Sequence, residues 1–429
     1  MAVADSSLSD GSSDALRVKS GSKPRITERR KPHASGPYWL HTPHSSVSGQ
    51  ILPSKSDYDV IVAGGGISGA LAAQALAGKG QRVLIVDKGE PVRGSTAAST
   101  AMIQHEIDVP LHQLGKMIGA AKAARAWRRS VQAVNDLADL VERLGIDCDF
   151  QKKKTLFVSG NVLGSRALKS EATLRTKAGI DAEYLDKGAL QAQFGINRTA
   201  AIVSHDSASA NPAQLTAGLL RDALENGAEI VEGIEIADAL EMGGRVVLST
   251  SNGAMIQAKH AVFATGYQFL KSMRHPAHRI VSTWAMASKP GVAHPSWLDD
   301  FLVWEGSEPY LYFRTTPDGR IIAGGEDENS ETSYRDPRRM KPKMRAIQRK
   351  LKSLVGIDIV EPDHDWAAPF GTTTTGLPFI DRVPGQQQMY SIMGFGGNGI
   401  TFSMIAAQIV ASHVLGKPDI DAGLFRFPK

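Results

Sequence analysis

Three glycines stand at a spacing that lets a backbone close around a phosphate: Gly64, Gly66 and Gly69, in the stretch Gly64-Gly65-Gly66-Ile67-Ser68-Gly69. A G-x-G-x-x-G turn uses its first glycine for a tight bend, its second for close approach to a pyrophosphate and its third for close helix packing. The helix that follows offers free N–H groups and the positive end of its dipole to the phosphates. The flanking residues supply the necessary elements. Tyr58–Ala63 is a short apolar run, Ser68–Ala77 a small-residue helix closed by Gly78 and Gly80, and Arg82–Val86 a second apolar run ending at Asp87. A carboxylate at that strand end can accept hydrogen bonds from ribose hydroxyls and would repel a 2′-phosphate. Strand, helix and strand at this spacing predict a parallel βαβ unit that holds a dinucleotide. The unit itself does not separate a flavin from a nicotinamide.

Three later segments do. Arg93–Asp108 is a polar, small-residue loop directly after the second strand, and its hydroxyls and N–H groups suit the rest of a long dinucleotide better than a nicotinamide half. Ala264-Thr265-Gly266 ends an apolar strand with residues small enough to pass close to a cofactor. Gly396-Gly397-Asn398-Gly399-Ile400-Thr401 is a second glycine-rich turn opening a helix. Its N–H groups would stabilise the negative charge that a reduced flavin carries near its N1–C2=O edge.

On these residues the chain resembles the D-amino-acid-oxidase/glycine-oxidase-like superfamily of FAD-dependent oxidoreductases, above all bacterial members whose second strand leads into a GST-AST loop. The resemblance covers about residues 57–425. It implies that Gly64, Gly66, Ile67, Ser68, Gly69, Asp87 and Lys88 hold the ADP half of FAD. Gly94, Ser95, Thr96, Ala98 and Ser99 would line the pyrophosphate and flavin ring. The strand around Glu235–Ile236 would lend backbone groups to the adenine, and Gly396 through Thr401 would meet the pyrimidine edge. Some oxidases of the superfamily attach flavin through a cysteine preceding a segment like Phe370–Asp381. Register puts Ala368 or a neighbour there, so non-covalent FAD is expected, with His105 in a packing role.

The expected fold class is α/β: a Rossmann-like FAD-binding domain of the glutathione-reductase-like type, with an inserted α+β substrate domain built on an antiparallel sheet. The resemblance implies an FAD domain assembled from residues 57–110, 195–267 and 362–425, and a substrate domain from 111–194 and 268–361. Residues 1–56 are rich in Ser, Gly, Pro, Lys and Arg and are expected to form a largely disordered or loosely docked extension. Within it, Pro37–His44 has enough aromatic surface to fold back onto the body. Asn211 followed by Pro212 predicts a capped helix start.

Bulk properties exclude several classes. At 429 residues, 42% hydrophobic and 22% charged, the chain has room for two domains, and no apolar run is long enough to span a membrane. A net charge of +5 without a dense Lys/Arg stripe argues against nucleic acid, and Lys152–Lys154 reads as a solvated strand entry. One cysteine, Cys148, rules out an internal disulfide framework and an all-cysteine iron–sulfur site. The first residues lack a secretory apolar stretch, so a cytoplasmic location is expected. His33, His41 and His44 lack carboxylate or thiolate neighbours, and Pro276 between His275 and His278 suits a turn, so no metal site is expected.

Flavin oxidation of an amine needs a positioned carbon, a neutral nitrogen and exclusion of water, with no obligatory triad. An amino-acid substrate also needs a cation for its carboxylate. Arg314, on the same face of an alternating strand as Tyr310 and Tyr312, is the leading candidate, and the resemblance implies such an arginine in the matching strand. A sheet ion pair with Glu326 or Asp327 is the competing fate. Tyr312 is a candidate substrate-lid hydroxyl, whereas Trp366 and Arg382 flank Thr372–Pro378, where either could approach the flavin but the ordinary fate is core and surface respectively. The leading function is oxidation of a C–N bond in a small amine or amino acid. Oxidation of a hydroxy acid or polyol, or a flavin-binding redox or interaction protein with little turnover, are the alternatives. The electron acceptor (oxygen or another) and the oligomeric state are left open.

Overall fold

A computed structural model describes residues 25–428 of the chain; residues 1–24 of the N-terminal extension lie outside the described residues. A strand covered on both faces reads as a continuous apolar run, and Asp57–Ala63 is buried from Tyr58 onward. It lies at the centre of a sheet, parallel to Val83–Val86 on one side and to Met255–Phe263 on the other. Glu229–Val231 and Met389–Met393 extend the parallel array, and Phe379–Arg382 closes one edge in the antiparallel sense. A hairpin, Ile236–Met242 with Arg245–Thr250, branches from Met255–Phe263 to complete eight strands.

The helix Ile67–Ala77 is buried almost all round because it packs against the helices Pro212–Glu225 and Gly399–Val414. Ala70, Ala72, Ala73 and Ala77 keep its girth small enough for that contact. Asn211 caps its neighbour as expected, its Oδ1 accepting from the Ala213 and Gln214 N–H groups at 3.1 Å.

A second, nine-stranded sheet is mostly antiparallel, with one parallel pair between Phe301–Gly306 and Gln151–Ser159. Two of its strands come from segments that the resemblance assigns to the FAD domain. His364–Thr373 pairs along its whole length with His278–Ala287, and Ala200–Ser209 pairs with Gln151–Ser159. Their strand character is local, but the sheet they join is set by distant partners that local pattern does not name.

The described part of the extension is docked, not loose. Backbone bridges join Thr27 to Leu270, Ala34 to Ala367 and Gln50 to Val231. Trp39 is 2% exposed, and its indole N–H donates to the Ser99 carbonyl at 2.7 Å, so Pro37–His44 does fold back. Composition misleads here because a few backbone bridges and one aromatic anchor are enough to fix a polar segment.

Candidate active site

The turn at Gly64 shows why its residue types are needed. Gly64 has φ +109°, and a Cβ there would lie 2.5 Å from the Ala264 carbonyl oxygen. The strand end Ala264-Thr265-Gly266 therefore runs directly against the turn, as its small residues suggested. A Cβ on Gly66 would lie 2.9 Å from Thr96 Oγ1, the same oxygen that accepts from the Ile67 N–H at 2.9 Å. The polar loop is thereby fastened to the helix N-terminus. Gly69 packs the helix: an added Cβ would overlap the Gly64 carbonyl oxygen. Asp87 accepts from the Gly65 N–H at 2.7 Å with one oxygen and from the Gly89 N–H at 2.9 Å with the other. A carboxylate has further lone pairs, so a ribose diol can still bind it.

These segments border one cavity of about 1280 Å³, walled by both sheets. That exceeds the usual size of a single-ligand pocket, about 300–1,000 Å³, and accommodates a coenzyme together with a substrate. Gly64, Gly66, Ile67, Ser68, Asp87 and Lys88 line it at one end. Gly94, Ser95, Thr96, Ala98 and Ser99 follow, with Ile236 and Ala264, Thr265 and Gly266 beside them. Gly396, Gly397, Asn398, Gly399 and Ile400 complete the wall. Of the expected cofactor residues, only Gly69 and Thr401 stand back. Thr401 donates its hydroxyl to the Gln104 carbonyl at 2.7 Å and so ties the second glycine turn to the loop after the first. Bare backbone at Gly64 and Gly66, with two glycine turns facing one enclosure, fits an elongated dinucleotide.

The wall that carries Tyr310 and Tyr312 is sheet. Tyr312 lines the cavity and lies across Gly324, where a Cβ would collide with its ring. Tyr310, 5.7 Å away between ring centroids, donates its hydroxyl to Asp327 Oδ2 at 2.7 Å. Burial raises the pKa of both phenols and pushes the Asp327 carboxyl up to about 6. Asp108, which accepts from the Gly397 N–H at 2.8 Å, is also pushed up to about 6 by burial.

Arg314 does not line this cavity. Its guanidinium donates to the carbonyls of Thr100 at 2.8 Å, Thr315 at 3.0 Å and Ala210 at 2.8 Å. It also faces the Trp39 ring at 5.2 Å, and the residue is 2% exposed. Neither the substrate clamp nor the pairing with Glu326 or Asp327 is what the structure contains. The long side chain fastens Thr100, Ala210 and the extension together, and burial lowers its pKa to about 9. Trp366 supports the same loop from the core, its indole N–H donating to the Ala98 carbonyl at 2.9 Å. His105 is buried with Nδ1 3.2 Å from the Asp206 carbonyl, a packing role as expected.

Ala368, at the covalent-cysteine register, lines the cavity, whereas Cys148 is buried elsewhere with its thiol pushed up to about 12 by burial. Among the described residues no cluster of potential metal ligands occurs, and no helix is long and apolar enough to cross a membrane. The residues that sequence reasoning missed come from the extension: Arg25, Thr27, Arg30, Lys31 and Pro32 all line the cavity. Arg25 pairs with Glu235 at 3.1 Å, and the Arg30 side chain, 7% exposed, pairs with Glu331 at 3.0 Å. No motif marks them, because they reach the site by docking.

Comparison with known proteins agrees with this architecture. Residues 59–413 match the family model described as DAO, FAD dependent oxidoreductase. A probable oxidoreductase, OrdL, of Haemophilus influenzae is 24% identical over 370 residues, covering 83% of each chain. A glycine oxidase of Bacillus licheniformis is 24% identical over 379 residues, covering 84% of this chain and 94% of its own. The crystal structure of glycine oxidase from Geobacillus kaustophilus superimposes with a TM-score of 0.72 at 21% identity, over 87% of this chain and 99% of that one. With the family match running from the first strand almost to the end of the last helix, this chain belongs to the DAO family of FAD-dependent oxidoreductases.

Proposed function

We propose that the protein oxidises a C–N bond of a small amine or amino acid, with FAD bound non-covalently. The coenzyme supplies the hydride acceptor at its flavin N5, and the chain supplies position and a dry enclosure. In this reading Gly64, Gly66, Ile67 and Ser68 receive the pyrophosphate, Asp87 the ribose, and the turn Gly396–Ile400 the flavin edge. Tyr312 and Tyr310, on the opposite wall, hold the substrate carbon over the ring. Their phenols stay protonated, so they orient by hydrogen bonding and leave the amine to reach its neutral form by losing a proton to solvent. The observation that carries the reading is the single enclosure: two glycine turns and a tyrosine-faced sheet open into the same cavity. Glycine oxidases among the relatives support the C–N bond as the target.

Anaerobic mixing of the purified protein with panels of amines, amino acids and hydroxy acids tests it. Flavin absorbance should bleach with a nitrogen-bearing substrate and persist with hydroxy acids. Bleaching by hydroxy acids alone would overturn the proposal.

A further inference from the structure

Charge is unevenly spread over the cavity wall: one part is basic on balance, although Asp87, Glu90 and Glu235 also line it, Glu90 paired with Arg93 and Glu235 with Arg25. The basic lining residues, Arg25, Arg30, Lys31, Lys88, Arg93 and Arg279, belong to the docked extension, the loop after the second strand and the outer end of His278–Ala287. No lysine or arginine lines the cavity from the segments 157–163 and 304–328. Those segments contribute Glu305, Glu308, Asp327 and Glu328 among Phe157, Trp304, Tyr310 and Tyr312.

Not all of these acids are free. Glu305 pairs with Arg198 at 3.4 Å, Glu328 with Lys343 at 3.1 Å and with Arg339, and Glu308 is exposed at the mouth. Asp327 has no ion-pair partner. It receives the Tyr310 hydroxyl and has the Thr283 hydroxyl against it, while its Oδ1 is buried without a partner in good hydrogen-bond geometry. Asp108, which also lines the cavity without a cation, adds to the negative field and receives one N–H. A buried carboxylate without a counter-charge is costly unless it is protonated or a ligand supplies the charge. Tyrosine faces beside it add a surface that attracts ammonium groups. An α-carboxylate placed against this wall would meet like charge instead.

We propose that the substrate is an aliphatic diamine or triamine, whose second ammonium, remote from the C–N bond that is oxidised, is held by Asp327 between Tyr310 and Tyr312. This rests on the C–N reading above. The basic part of the wall is left to the coenzyme phosphates, and the acidic part selects a cation. A substrate with a charged far end is thereby oriented, with its reacting carbon turned from the acid wall toward the flavin.

The test uses the holoenzyme under anaerobic conditions and follows flavin bleaching with spermidine, n-butylamine, glycine and N-methylglycine. Spermidine should half-saturate at a concentration about ten- to a hundredfold below that for n-butylamine, the value of one charge-assisted contact. Asp327→Asn, checked for bound flavin by its spectrum, should collapse that ratio toward one. Glycine or N-methylglycine half-saturating as low as spermidine in the wild-type protein overturns the proposal, whether or not the variant folds. So does an Asp327→Asn protein that keeps the ratio. Bleaching by amino acids but not by spermidine removes this inference and leaves the C–N reading standing. Bleaching by no amine or amino acid removes both.

Discussion

Replacing Gly69 with alanine should strip the protein of most of its FAD, although Gly69 does not line the cavity. The added Cβ would overlap the Gly64 carbonyl oxygen, which belongs to backbone and cannot swing aside as a side chain would. Relief requires the helix Ile67–Ala77 to move off the turn, and that helix is gripped by two others. Overpacking of this kind costs about 1–3 kcal/mol. If the cost falls on the turn, FAD affinity drops by about ten- to a hundredfold. Flavin content after purification and fluorescence titration of the apoprotein with FAD give the answer. Gly66→Ala is a useful contrast. Its Cβ meets a hydroxyl, Thr96 Oγ1 at 2.9 Å, so it should fold normally and lose FAD by blocking the phosphate approach. Wild-type affinity in both variants would contradict the role assigned to the first turn.

The second large effect is expected at Trp39, far from every motif. Trp39 is buried, holds the Ser99 carbonyl through its indole N–H, and stands over the Arg314 guanidinium. Trp39→Ala removes a large aromatic from a packed site, a change that typically costs about 3–5 kcal/mol. It also loosens the loop that lines the cavity at Ala98 and Ser99. Thermal unfolding should shift down by several degrees, and flavin should leave faster on dialysis. An unchanged melting temperature with unchanged flavin retention would show that the extension is an accessory. A structural role for the extension would also leave it less free to serve as a partner-binding tail.

The strand, turn and helix around the first glycine motif were legible because their requirements are local. A phosphate turn needs particular residue types at fixed spacing, and the strand, helix and acid around Gly64–Asp87 follow within one unit. The helix start at Asn211-Pro212 was readable for the same reason. Arg314 was not, since strand alternation tells which face a side chain leaves from and nothing about the carbonyls of Thr100 and Ala210 that meet it there. The strands Ala200–Ser209 and His364–Thr373 went to the other sheet because pairing partners are non-local. Arg25 and Arg30 were missed because a polar, unpatterned stretch becomes part of a site only by docking. The uneven charge of the cavity emerges only when residues from the loop, the second sheet and the extension face each other.

The measurement that bears most directly on the account is the flavin content of the purified chain, with its mode of attachment. Acid precipitation should leave a colourless pellet and a yellow supernatant carrying about one FAD per chain. A colourless protein that takes up no added FAD would contradict the two-turn grip, and a pellet that stays yellow would contradict non-covalent binding.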